Sequence, residues 1–269
     1  MIHPTAVIHP QARLDPSVVV GPCTVIDEHV TVGAHCILGP HVHLTGHTTV
    51  GAHNRFHAGC VIGDAPQDLN YQGEPTRLRI GDHNAFREHV TVHRSNKLEE
   101  ATIIGSHNLI MAGSHVGHNC ALGDHVILIN AVLLAGHVTV GDFAVLGGGA
   151  GVHQFARIGR LAMVAGHASL SKDVPPFTLG RGYSVLYGLN TVGLRRAGFT
   201  SEQRLELKKL YHHLFRGTGL MRERVESARH EFTSEACRQL IDFVATSKRG
   251  VCSDAGTRSA SPDAAEAGE

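Results

Sequence analysis

Residues 104–146 read IGSHNL IMAGSH VGHNCA LGDHVI LINAVL LAGHVT VGDFAV L, and an aliphatic residue opens every block of six. Outward from this stretch the same phase runs back through Leu98, Val92, Phe86 and Ile80. It resumes at Ile62, Phe56, Val50, Leu44, Leu38, Val32, Ile26, Val20, Leu14, Ile8 and Ile2. Forward it continues through Val152, Ile158 and Val164 to Leu170. Only Asp68 and Glu74 break the series, so the interruption is itself a place to look for function.

A six-residue period fits neither a 3.6-residue helix nor a simple alternating strand. It fits short parallel strands joined by tight corners, three to a coil, which is the hexapeptide β-helix. The fourth residue after each aliphatic one supports this, being small or compact: Ala6, Ala12, Val18, Thr24, Val30, Cys36 and Val42 early, and Ala144, Ala150, Ala156, Ala162 and Ala168 late. Glycine directly after the aliphatic residue, as in Gly21, Gly33, Gly51, Gly81, Gly105 and Gly123, is read as the corner, where permissive backbone angles are needed. The fold class expected is an all-β parallel β-helix followed by a small α-helical domain.

The division expected is 1–190 for the coil, with insertions near 64–79 and 96–103, then 191–250 for the helices and 251–269 for a disordered tail. Asp173-Val-Pro-Pro176 ends the period. Thr200 with Gln203 forms a capping-box pattern that opens a helix reaching Arg216, and further helices are predicted over 219–231 and 234–247. After Gly250 the chain is small, polar and Pro-containing, which predicts disorder.

No tryptophan and 31 glycines suit a narrow prism. The repeat starts at residue 2, leaving no room for a signal peptide, and no apolar run approaches the ~20 residues that span a bilayer. A cytoplasmic protein without a transmembrane segment is expected. Of the six cysteines, Cys36, Cys60 and Cys120 occupy the inward compact position, and the six together lack metal-type spacing. Residues 176–250 carry thirteen Lys/Arg against seven Asp/Glu, whereas 1–175 carry ten against thirteen. The helical region is therefore basic, which suits a solvated surface or a docking face for an acidic partner or a phosphate-bearing ligand. Nucleic acid is disfavoured by the neutral overall charge and the lack of interleaved aromatic and basic residues.

Half of the 22 histidines, among them His35, His53, His83, His107, His125, His137 and His167, lie three residues after the aliphatic position and read as outward strand decoration. Outside that register stand His115 and His118, close together, and His93 and His153, where glycine is usual. Histidine at a glycine corner carries a backbone cost, so function is the better reading there. A zinc site of the γ-carbonic-anhydrase type needs histidines five apart, and no two here are so spaced. The polar excursion Asp64–Arg77 and the charged one around Asn96–Thr102 preserve the phase downstream, as loops thrown out from a continuous scaffold do.

At these residues the chain resembles the UDP-N-acetylglucosamine O-acyltransferases that begin lipid A biosynthesis in Gram-negative bacteria. The resemblance is carried by Gln67-Asp68-Leu69-Asn70-Tyr71, Gly73-Glu-Pro-Thr76, Val92-His-Arg94, His115-Val-Gly-His118, Leu134-Ala-Gly-His137, Val152-His-Gln-Phe155, Asp173-Val-Pro-Pro176 and Gly193-Leu-Arg-Arg-Ala-Gly-Phe199. It implies a left-handed coil and transfer of an (R)-3-hydroxyacyl group from acyl carrier protein to the 3-hydroxyl of UDP-N-acetylglucosamine. It implies His118 as general base and the Gly136 N–H as oxyanion donor. Gln67, Asp68, His115 and His137 then fall to the sugar end, His153 and Gln154 to the nucleotide and acyl cleft, Asn190 and Arg196 to the uridine diphosphate, and His93 to substrate binding. Gly166 falls where acyl length is set, and a glycine there leaves room for a long chain.

The resemblance further implies a homotrimer with sites between subunits, basic helices that receive the carrier protein, and no cofactor or metal beyond the phosphopantetheine thioester of the donor. Three departures are Asn70 for a frequent lysine, Asn119 for an acidic residue after the base, and Ala197 in place of a second arginine. The alternatives are another hexapeptide acyltransferase, N-acylating or CoA-dependent, a 3-amino sugar acceptor, a zinc lyase and a non-catalytic scaffold.

Overall fold

The structure, a computed structural model, describes residues 1–258. The outermost part of the expected tail, 259–269, lies outside the described residues. Successive two-residue strands pair in parallel eighteen residues apart, as Val7 does with Val25 and Ile8 with Ile26. They stack into three faces of nine, eight and eleven strands, beginning at Val7–Ile8, Arg13–Leu14 and Val19–Val20. The result is a left-handed parallel β-helix followed by helices.

Each coil directs its aliphatic and compact positions inward, so one continuous core runs from Val18 to Phe177 and on under the helices. Where the compact position is asparagine, its side-chain oxygen accepts along the axis, although Asn108 Nδ2 has no partner among the described residues. The Asn84 N–H and side-chain amide donate to Asn54 Oδ1 at 2.9 and 3.0 Å, and the Asn108 and Val126 N–H groups continue the ladder. The two insertions lengthen single coils: Arg77 pairs with His47 thirty residues back, and Ile104 with Ile80 twenty-four back. Both additions are multiples of six, which is why the phase survives them. Leu98 shares the phase only by coincidence; it lies in the second insertion and is 47% exposed.

The corner chemistry differs from the sequence expectation. The left-handed residue is the one three after the aliphatic position: His35, His41, His53, His83, His89, His107, His125, His137 and His167 all have φ of 55–60°. Gly21, Gly33, Gly51 and Gly81 do not have positive φ; they are glycine because the next coil passes too close. A Cβ on Gly33 would lie 2.7 Å from the Gly51 carbonyl. Five of the corner histidines, His35, His53, His83, His107 and His125, offset their backbone cost in part by stacking in a column that ends on Phe143, with ring centroids 4.6–4.9 Å apart. His93 and His153 lack positive φ, so no backbone strain attaches to them.

The coil is closed by α1 (Thr191–Arg196), α2 (Ser201–Arg216), α3 (Met221–Glu231) and α4 (Glu235–Ala245). Thr200 and Gln203 form the capping box that starts α2. Arg157 fastens helix to coil: Nε donates to Asp173 at 2.8 Å, and the same guanidinium donates to the Phe243 carbonyl and the Thr246 hydroxyl of the α4 end. None of the described helices is long and apolar enough to cross a membrane.

Residues 251–258 do not follow the expectation of disorder. Val251 bridges to Asp173, Ser253–Asp254 pairs with Val185–Leu189, and α5 (Ala255–Arg258) follows. The anchor is the buried Asp254 carboxylate, which accepts from the Tyr211 hydroxyl and from Arg216 Nε. A single buried acid in a polar segment leaves no periodic trace.

Candidate active site

One cleft of about 750 Å3 lies along the first face and its exit corner, over the coils from Thr91 to Ser171. It is lined by Gln67, His93, His115, His118, Gly136, His153 and Gln154, with Leu133, Leu134 and Val152 as its apolar wall. Seven residues that the sequence singled out separately are thus brought together by stacking coils. Gln67 arrives on the first insertion; the others sit at or beside the ends of strands His115–Val116, Leu133–Leu134 and Gly151–Val152 and of their neighbour Thr91–His93.

His118 is 8% exposed and occupies the corner directly after Val116 and Gly117. Its Cε1–Nε2 edge lies where a Cβ on Gly136 would be, 2.5 Å from that position. Gly136 has no positive φ, so space for the imidazole is what requires glycine. Among the described residues the Gly136 N–H meets no protein acceptor, while the Gly136 carbonyl accepts from Phe155. His118 Nδ1 donates to Asn119 Oδ1 at 2.9 Å, which leaves Nε2 as the basic nitrogen.

The surrounding groups are held in a network. Asp68 accepts from the Asn70 N–H at 3.0 Å and from the Asn96 side chain at 2.6 Å, bonds that hold its carboxyl below the usual range. The two insertions therefore clasp each other beside the cleft. Arg94 steadies the first of them, donating to the Tyr71 hydroxyl and to the Gly63 carbonyl. His115 Nδ1 shares a proton with Thr91 Oγ1 at 2.8 Å, and burial, then His93 and His118, lower its pKa to about 4. Burial also lowers His93, whose Nδ1 is enclosed and has no partner in the described chain. His153 is exposed, with Nδ1 against the Gln154 carbonyl at 3.1 Å.

The remaining predicted residues do not line this cleft. His137 stands behind it, edge-on to His118 with ring centroids 5.2 Å apart and stacked on Phe155, so it packs against that imidazole rather than lining the cavity. Asp68 is likewise in contact with the site through Asn96 rather than in its wall. Gly166 is exposed on a different corner, where a Cβ would meet the Gly148 carbonyl at 3.2 Å. Asn190 caps α1, accepting from the Gly193 N–H and donating to the Leu161 carbonyl; Arg196 is exposed at the end of α1.

Sequence reasoning missed Leu133, Ser169, Ser171 and Tyr183 in the cleft, and Ser95 and Glu100 beneath it. The last two lie in or beside the second insertion, a signal that was available. Among the described residues no group of three or more His, Cys, Asp or Glu is disposed to hold a metal ion.

The chain as a whole has known relatives. Residues 173–252 match a family model described as UDP N-acetylglucosamine O-acyltransferase, domain 2. An acyl-(acyl-carrier-protein) UDP-N-acetylglucosamine O-acyltransferase of Herminiimonas arsenicoxydans is 46% identical over 258 residues, covering 93% of this chain and 98% of the relative. The enzyme of the same name from a Janthinobacterium species is 47% identical with the same coverage. Among solved structures, LpxA of Acinetobacter baumannii superposes with a TM-score of 0.90 at 37% identity, covering 93% of this chain and 98% of that one. The Francisella novicida UDP-N-acetylglucosamine acyltransferase does so at 0.93 and 35% identity, with both chains covered in full. Sequence and fold match together over nearly the whole length, and the chain belongs to the UDP-N-acetylglucosamine O-acyltransferase family.

Proposed function

We propose that the chain moves an (R)-3-hydroxyacyl group from acyl carrier protein to the 3-hydroxyl of UDP-N-acetylglucosamine, the first step of lipid A biosynthesis, as a cytoplasmic homotrimer. The observation that carries the mechanism is the pairing of His118 with Gly136. His118 Nε2 takes the proton of the sugar 3-hydroxyl as that oxygen attacks the thioester carbonyl carbon. The carbonyl electrons move to oxygen, and the Gly136 N–H, uncommitted within the described chain, stabilises the oxyanion. Collapse reforms the carbonyl, expels the carrier thiolate, and returns the proton from His118 to sulfur. No cofactor enters; the phosphopantetheine thioester is the donor.

Gln67, Asp68, His93, His115 and His137 are assigned to holding the sugar and its base, and His153 and Gln154 to the nucleotide and acyl cleft. Asn190, Arg196 and Gly166 serve a site completed by a neighbouring subunit, which accounts for their position outside the cleft of their own chain. The acidic carrier is assigned to the helical region. What supports this is a stripe of Arg204, Lys208, His212 and Arg216, four residues apart on α2, along a groove of about 400 Å3. Gly166 favours a long donor such as 3-hydroxymyristoyl.

The test is incubation with UDP-N-acetylglucosamine and a panel of 3-hydroxyacyl carrier proteins, with products read by mass spectrometry. Acyl-sugar from a long donor is expected. No product from any donor, with a 3-amino acceptor also offered, would overturn the function, and preference for 3-hydroxydecanoyl would overturn only the Gly166 assignment.

A further inference from the structure

Asn119 follows the base and is neutral, yet its amide is fully engaged. Oδ1 accepts from His118 Nδ1–H at 2.9 Å and from the Asn96 N–H at 3.0 Å. Nδ2 donates to Ser95 Oγ at 2.8 Å and to Glu100 Oε2 at 2.6 Å. Rotating the amide by half a turn would set its NH2 against the Asn96 N–H and its oxygen against the Glu100 carboxylate. The observed orientation is therefore the one the network permits, and it fixes the His118 tautomer.

We propose that Glu100 is a positioning residue for His118, acting through the Asn119 amide in place of a carboxylate directly beside the imidazole. A neutral amide oxygen alone is a weaker partner for an imidazolium than a carboxylate. A carboxylate bonded to the far end of that amide draws on its N–H and raises the electron density on Oδ1, so the two bonds strengthen each other. The charge needed is present. The Asn119 bond, with help from Lys97 at 3.3 Å, holds the Glu100 carboxyl below its ordinary range. Glu100 Oε2 also lies 3.9 Å from His137 Nδ1, so one carboxylate serves both the base and the ring against it. The residue arrives on the second insertion, which gives that loop a reason to exist.

This inference rests on His118 being the general base, and the experiment separates the two. The charged or titratable groups around His118 are Asp68, His93, His115, His137 and Glu100. In the full-length protein, Glu100→Gln is compared with wild type, Asn119→Asp and the double variant. The expectation is a kcat about three- to tenfold lower for Glu100→Gln, KM for the sugar within about twofold, and recovery in the double variant, where the carboxylate now adjoins the imidazole.

Independently of turnover, the His118 ring is followed by 15N NMR at alkaline pH, its signals identified by their loss in His118→Gln. In wild type the proton should stay on Nδ1, keeping the Nδ1 and Nε2 shifts far apart; in Glu100→Gln, where the Asn119 amide is free to turn over, the two shifts should move together. Unchanged shifts, or a double variant as slow as Glu100→Gln, overturn the proposal. Should Glu100→Gln fail to fold, Glu100→Asp, which shortens the reach to Asn119, must show the same change. Absence of acyl-sugar from wild type would overturn the functional reading alone, with the 15N shifts still deciding whether Glu100 acts on His118.

Discussion

Gly136 and His118 stand eighteen residues apart on adjacent coils, and each dictates what the other can be. A methyl group at 136 would sit 2.5 Å from the imidazole, a contact that must push the ring aside. Gly136→Ala is expected to lower kcat by about a hundredfold or more, since the proposed base and the proposed oxyanion donor both lose their alignment. The thermal midpoint should move little, because a side chain can yield where backbone cannot. Equal losses in kcat and stability would contradict this reading.

His115 offers a second check. Its folded pKa of about 4 lies below the unfolded value near ~6.5, so the unfolded chain binds the extra proton between these limits. Stability conferred by neutral His115 is full above about pH 6.5 and is lost as pH falls toward 4. Chemical denaturation across that window should show stability rising with pH, and His115→Gln should flatten the slope. Burial makes His93 contribute in the same direction.

At the scale of the element, the corner is where sequence and structure part company most instructively. Hydrophobic phase announces the strands because every inward position is repeated and apolar. Corner geometry leaves no such record. Glycine is the first residue one assigns to left-handed backbone and histidine only a secondary one, yet here His53 has φ 59° and Gly51 is needed for a close approach. Substitutions at two corners of the prism should therefore move stability in opposite directions. Gly33→Ala meets backbone at 2.7 Å and should cost about 2 kcal/mol or more. Ala131→Gly relieves an exposed left-handed alanine at φ 59° and should gain a few tenths to about 1 kcal/mol. Urea titrations of the two variants give the signs directly; the same sign for both would refute this account of the corner.

The site was legible to a similar degree, and for a physical reason. His115, His118, His93 and His153 departed from the repeat and proved to share one cleft, because a residue that breaks a structural rule is free to serve another purpose. His137 obeys the repeat, so nothing in the period distinguishes it from the other corner histidines, and its edge-on contact with His118 shows only in the structure. Glu100 lies in the second insertion, which the sequence marks, but its contact with Asn119 depends on how that loop folds back and leaves no trace in the pattern.

For the whole molecule, the predicted residues divide between a cleft of one chain and positions that do not reach it. If neighbouring subunits complete the site, His118→Ala and Arg196→Ala proteins, each nearly inactive, should complement one another. Random mixing in equal amounts places an intact pair at about a quarter of sites, so co-expressed variants should recover about a quarter of wild-type activity. No recovery would place both residues in a single-chain site.

The even stacking of the coils has an architectural corollary. Strands lie about 4.8 Å apart, and away from the insertions one coil is eighteen residues, so the prism works as a graduated rule. A contact made at one position can be relocated by one graduation through a change eighteen residues away, with its direction kept and the frame undisturbed. Distance along the cleft is thereby inherited in discrete steps, and finer adjustment falls to the length of single side chains.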